Sequence, residues 1–164
     1  MISMGKRRAA RENALQVLFE LEFNDIGVEE VLARHWAEKK TDKAVEEYAS
    51  WLVRGIMARR REIDEIVQSS AKNWRVSRMA LVDRNILRIA AFELLEEKFL
   101  TPGIIINEAI EIAKRYSSDE AAVFVNGVLD AVRKKIEKKN PPLKANDDEP
   151  TKEPAKKRAV RSAR

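Results

Sequence analysis

The chain has 164 residues, of which 45% are apolar and 36% charged, with a net charge of +5. That is enough for one domain with a core, and no uncharged apolar run approaches the length of a membrane span. With no cysteine there is neither a disulfide framework nor thiolate chemistry, and the start lacks the apolar stretch of a signal peptide, so a cytoplasmic location is expected. The charge is unevenly spread. Residues 138–164 hold nine Lys/Arg against four Asp/Glu, residues 1–11 hold four cations and no acid, and the stretch between carries a net negative charge.

Helical spacing begins with Ala10, Ala14, Val17, Leu18 and Leu21. Lys6, Arg7, Arg8 and Arg11 precede and enter this helix without an acid before Glu12. A helix start carries partial positive charge, so each cation there costs about 0.3–1 kcal/mol. Val28, Val31, Leu32 and Trp36 mark a short second helix. Val45, Tyr48, Ala49, Leu52, Val53 and Ile56 mark a third, with Thr41 as its expected N-cap. Ile63, Ile66 and Val67 continue the period, so 42–72 reads as one long helix or as two with a kink near Arg59–Arg61.

The stretch NWRVS interrupts the pattern. Ile86, Leu87, Ala90, Ala91, Leu94 and Leu95 then form a strongly apolar helix, entered at Asp83 as N-cap. Thr101-Pro102 starts another, since proline fits a first helical turn, and GIIIN at 103–107 is read as part of it rather than as a strand. Ser117 to Glu120 has the S-x-x-E form of a capping box before the face Val125, Val128, Leu129, Val132 and Ile136. Gly127 lies inside this last helix, where glycine costs about 1 kcal/mol against alanine, and a tight helix crossing is its expected reason. The fold class is all-α, with about seven helices over 1–138. Residues 139–164 contain four of the five prolines and too few apolar groups to offset ordering entropy, so they are expected to form a disordered tail.

Enzyme chemistry finds little support. His35 is the only histidine and is expected at a surface or boundary. The five glycines are scattered, so no phosphate cradle exists, and paired acids such as Glu46-Glu47 and Glu96-Glu97 read as solvated helix faces. No metal, cofactor or small-molecule substrate is expected. The cationic start survives: backbone N–H groups at a helix start, with arginine forks beside them, suit phosphates. The alternative is a solvated tip. Phe124 is open to two readings, a core side chain or a ring presented to a base.

Three blocks, RRAARENALQVLFELE (7–22), VDRNILRIAAFELL (82–95) and INEAIEIAKRYSSDEAAVFVNGVLD (106–130), together resemble the NusB family of bacterial transcription antitermination factors. The resemblance covers about 6–137. It implies two small helical bundles packed together, and binding of the boxA element of nascent RNA with NusE, a small-subunit ribosomal protein. It implies RNA contacts at Lys6, Arg7, Arg8, Arg11, Glu120 and Phe124, and a NusE face including Phe19 and Asp83. Glu120 stands where the family usually has aspartate, and Phe19 where it often has tyrosine. Two other classes remain: a purely protein-binding helical adaptor, and an RNA-binding domain like those preceding RNA methyltransferase domains, which would need a Gly-rich cofactor domain and cysteines downstream.

Overall fold

The computed structural model describes residues 2–141, and the expected tail lies almost entirely outside them. Seven α-helices follow one another: α1 Met4–Leu21, α2 Val28–Ala37, α3 Lys43–Ala58, α4 Arg60–Ser70, α5 Leu81–Glu96, α6 Pro102–Tyr116 and α7 Asp119–Lys139. A single 3₁₀ turn, Val76–Arg78, lies between α4 and α5, and no strand is present among the described residues. The all-α class and the helix number follow from the apolar periods.

The helices form two bundles, α1–α3 and α4–α7, joined chiefly where α5 packs on α1 and α3. Every residue of α5 from Asn85 to Glu93 is buried, although the other helices bury only one face. A helix buried all round belongs at the centre of a fold. Ile86, Leu87, Ile89, Ala90 and Phe92 therefore contribute to one continuous core with Leu18, Leu52, Ile56, Ile63, Ile112 and Leu129.

The long period of 42–72 is broken at Arg59 (φ −116°, ψ 22°), within the stretch where a kink is expected. Several helix starts differ from the sequence reading by one to three residues. Asp42, not Thr41, caps α3, its Oδ1 accepting from the Ala44 N–H at 2.8 Å. Ser118, not Ser117, caps α7 by accepting from Ala121 N–H at 3.0 Å, so the S-x-x-E box does not close. Asp83 is not a cap: α5 begins at Leu81, which leaves Asp83 in its first turn, where an acid still meets the positive helix end.

The glycine expectation is reversed. Gly127 is exposed, and a Cβ there would meet open space. Gly55 of α3 is the close approach instead, because a Cβ there would collide with the buried Phe92 ring. His35 is buried rather than at the surface, with Nε2 2.9 Å from Asn13 Oδ1 and its ring edge-on to Trp36.

Candidate nucleic-acid interface

The cations that open α1 are met by carboxylates from elsewhere in the chain. Lys6 Nζ lies 2.8 Å from Asp42, and both side chains are half exposed. Arg7 is buried. Its Nη1 donates to Glu97 at 2.8 Å and to the Tyr48 hydroxyl at 3.3 Å, and its guanidinium lies over the Tyr48 ring. Arg11 is more deeply buried and donates through Nε and Nη2 to both oxygens of Glu93, at 2.6 and 2.8 Å. Arg8 donates through Nε and Nη2 to Glu108, both at 2.8 Å, yet its side chain stays 46% exposed.

Only part of the expected open patch therefore exists. Arg7 and Arg11 direct their donors inward, and Lys6 and Arg8 remain on the surface. The cost of cations at a positive helix end is offset by four acids gathered from α3, α5 and α6 and their flanks. Burial opposes the charged form of Arg11, but the hydrogen bonds and charge of Glu93 outweigh it and raise its pKa. The hydrogen bonds from Arg8, with its charge, hold the Glu108 carboxyl below its ordinary range.

Glu120 and Phe124 lie one turn apart in α7, and they line a second feature, a cleft of about 370 Å³. Its opposite wall is the connection between α4 and α5. Trp74 there is 62% exposed and meets Phe124 edge-on, ring centroids 5.7 Å apart at 68°. Arg78 and Asp83 complete the cleft. Phe124 is half-buried: it packs against the core and also lines the opening. Asp83 is thus brought together with Glu120 and Phe124, whereas Phe19 is paired with exposed Phe23 at 5.1 Å.

The connection from Lys72 to Arg78 went unread in the sequence beyond its break of period. It carries three cations, one tryptophan and no acid, the pattern of a strand-binding surface. It is well held. Gln68 of α4 donates from Nε2 to the Trp74 carbonyl at 2.8 Å and accepts from the Val76 N–H at 2.9 Å, while the Val76 side chain is buried. The two arginines of the VDRNILR block serve inside the fold. Arg88 donates to both oxygens of Asp64 at 2.7 and 2.9 Å and to Glu22 at 2.9 Å, and Arg84 pairs with Glu22 at 3.0 Å. They tie the end of α1 and the side of α4 to α5.

A model of the NusB family matches residues 8–134, from the first turns of α1 almost to the end of α7. The chain belongs to the NusB family. The transcription antitermination protein NusB of Anaeromyxobacter dehalogenans (strain 2CP-1) is 44% identical over 128 residues, covering 77% of this chain and 89% of that protein. NusB of Bacillus subtilis (strain 168) is 42% identical over 132 residues, covering 80% and 98%. The fold matches NusB in a crystal structure of the antitermination factors NusB and NusE in complex with dsRNA, with a TM-score of 0.72 and 31% identity over 81% of this chain and 99% of that one. Among the described residues of this NusB-family chain, no helix is long and apolar enough to cross a membrane, and no group of three or more His, Asp or Glu could hold a metal ion.

Proposed function

We propose that this chain is a non-enzymatic, cytoplasmic transcription antitermination factor that binds boxA-type RNA in nascent transcripts together with NusE. The observation that carries this reading is family membership along nearly the whole described chain, with a relative of the same fold solved with NusE and RNA. Glu120 and Phe124 suit single-stranded RNA: a ring can stack on an unstacked base, and a carboxylate can accept from a base amino group. Lys6 and Arg8 supply surface charge for phosphates, and Arg7 and Arg11 act through them by fixing the start of α1 in place.

NusE is assigned to the end of α1. Phe19 is 41% exposed and Phe23 66%, an aromatic pair of the kind enriched at protein interfaces. The test is a titration of boxA-type and scrambled RNA against the full chain, with and without NusE. Tighter binding of boxA-type RNA in the presence of NusE is expected. Equal affinity for both RNAs, unaffected by NusE, would leave a protein-binding adaptor as the better reading.

A further inference from the structure

Three cations, Arg8, Lys114 and Arg115, open onto a groove of about 250 Å³ between α1 and α6. Each is held by an acid. Arg115 donates to Glu12 at 3.0 Å, Lys114 lies 3.5 Å from Glu111, and Arg8 is engaged by Glu108. The other oxygen of Glu12 already accepts from the Tyr116 hydroxyl at 2.9 Å. Glu108 differs, because a second arginine stands behind it. Its Oε2, which accepts from Arg8 Nε at 2.8 Å, is 3.7 Å from Arg11 Nη1. That nitrogen is buried and has no hydrogen-bond partner among the described residues, since Arg11 meets Glu93 through Nε and Nη2.

Resting on the RNA reading above, we infer that Glu108 is a two-position latch on phosphate binding. It occupies Arg8 in the free protein and passes to Arg11 Nη1 when an RNA phosphate takes Arg8.

The exchange balances in hydrogen bonds. A carboxylate stripped of its arginine in a protein wall is ordinarily left without a donor, which opposes release. Here, closing 3.7 Å to a hydrogen-bond length of about 2.9 Å supplies Glu108 with a new donor. The same movement gives Arg11 Nη1 its acceptor. Arg8 exchanges one two-oxygen acceptor for another, because carboxylate and phosphate fit the same guanidinium fork. Its side chain is half exposed and Glu108 mostly buried, so the phosphate comes from solvent and the acid stays in the wall. Glu108 thus acts through Arg8 as a positioning residue. It restrains binding to any RNA backbone and leaves base contacts untouched, since phosphates carry no sequence information.

The test measures binding of the full chain to one boxA-type and one scrambled single-stranded RNA by fluorescence anisotropy, with circular dichroism to confirm folding. Glu108→Gln keeps the shape of the side chain and removes the charge that competes for Arg8. It should tighten both RNAs alike, by about two- to fivefold, the scale on which exposed ion pairs act. In an Arg8→Ala background the same substitution should leave affinity unchanged, because the latch has nothing to hold. A measurement on wild type needs no variant to fold. The carboxyl carbon of Glu108 and the guanidinium nitrogens of Arg11 should shift together in NMR spectra as RNA is added. A folded Glu108→Gln variant that binds no tighter than wild type overturns the inference while leaving the RNA reading intact. So does a gain of equal size with and without Arg8, or an Arg11 signal unmoved by RNA. Weaker binding by Glu108→Gln also overturns it and makes Glu108 a support that presents Arg8. A wild type that binds neither RNA overturns the inference together with the RNA reading.

Discussion

Arg11 and Glu93, 82 positions apart in sequence, close a two-pronged ion pair in the middle of the molecule, at 2.6 and 2.8 Å. Neither side chain is more than 2% exposed. Tyr48 donates its hydroxyl to the same carboxylate at 2.9 Å, and Arg7, Glu97 and Glu108 continue the network around it. The start of α1 is thereby fastened to α3, α5 and α6 by charge.

Breaking this pair from one side leaves a charge buried and unpaired. Arg11→Ala should therefore destabilise the protein by about 3–5 kcal/mol, a fall in Tm of roughly ten degrees or more. The paired change Arg11→Met with Glu93→Leu should recover most of that loss, because apolar side chains of similar volume often replace a buried ion pair without cost. A thermal melt of both variants decides, and an Arg11→Ala variant as stable as wild type would contradict the burial.

The surface half of the cluster should behave otherwise. Lys6→Ala with Arg8→Ala removes two exposed cations, and the Glu108 left behind stays 3.7 Å from Arg11. Stability should change by only about 1 kcal/mol, within the range of exposed pairs. The salt slope of RNA binding should flatten by about 1.4. A slope equal to wild type would assign the phosphate contacts to other residues.

Acid should unfold the protein through the same groups. Glu108, Glu97 and Glu22 are all held below the ordinary carboxylate pKa of 4.5. The hydrogen bonds from Arg8 lead for Glu108; at Glu97 and Glu22 burial acts the other way and is outweighed by N–H and arginine donors. Groups lowered by folding stabilise above 4.5, and that stability is lost as pH falls through their folded values. Tm should fall steeply below about pH 4.5. Glu108→Gln should shallow this acid limb, and an identical limb in the variant would deny Glu108 its part.

Two glycines should respond oppositely to one added methyl. Gly127→Ala meets open space on an exposed helix and should stabilise by about 0.5–1 kcal/mol. Gly55→Ala drives a methyl into the Phe92 ring, and overpacking by about 1–3 kcal/mol exceeds the helix gain. Denaturant midpoints of the two variants should move to opposite sides of wild type. A stabilised Gly55→Ala would show that the ring has room to yield.

Much of this was legible in the sequence because amphipathic helices declare themselves by local spacing. The break at Arg59 and the apolar run of α5 were visible in this way. The fate of Arg7 and Arg11 was not, since their acids lie 90 and 82 positions away and no local pattern pairs them. One clue was present: Glu93 stands three residues after Ala90 and seven after Ile86, on an otherwise apolar stripe. An acid in that register must be buried with a cation. Gly127 misled because a glycine in a helix was read as a packing demand, while the real demand fell at Gly55, whose neighbour Phe92 is distant in sequence. The Trp74 wall was hidden because an aperiodic stretch gives no face to read.

The central position of α5 also determines how the protein comes apart. Its Leu87, Ala90 and Ala91 are covered only while both bundles are in place, so neither bundle can open without exposing the helix it shares. Melting is then a single event for α1 through α7. Amide protons of residues 86–92 should exchange with solvent only through global unfolding, at one common free energy, while those at the ends of α2 and α7 exchange far sooner. A chain assembled from two bundles behaves, in time, as one.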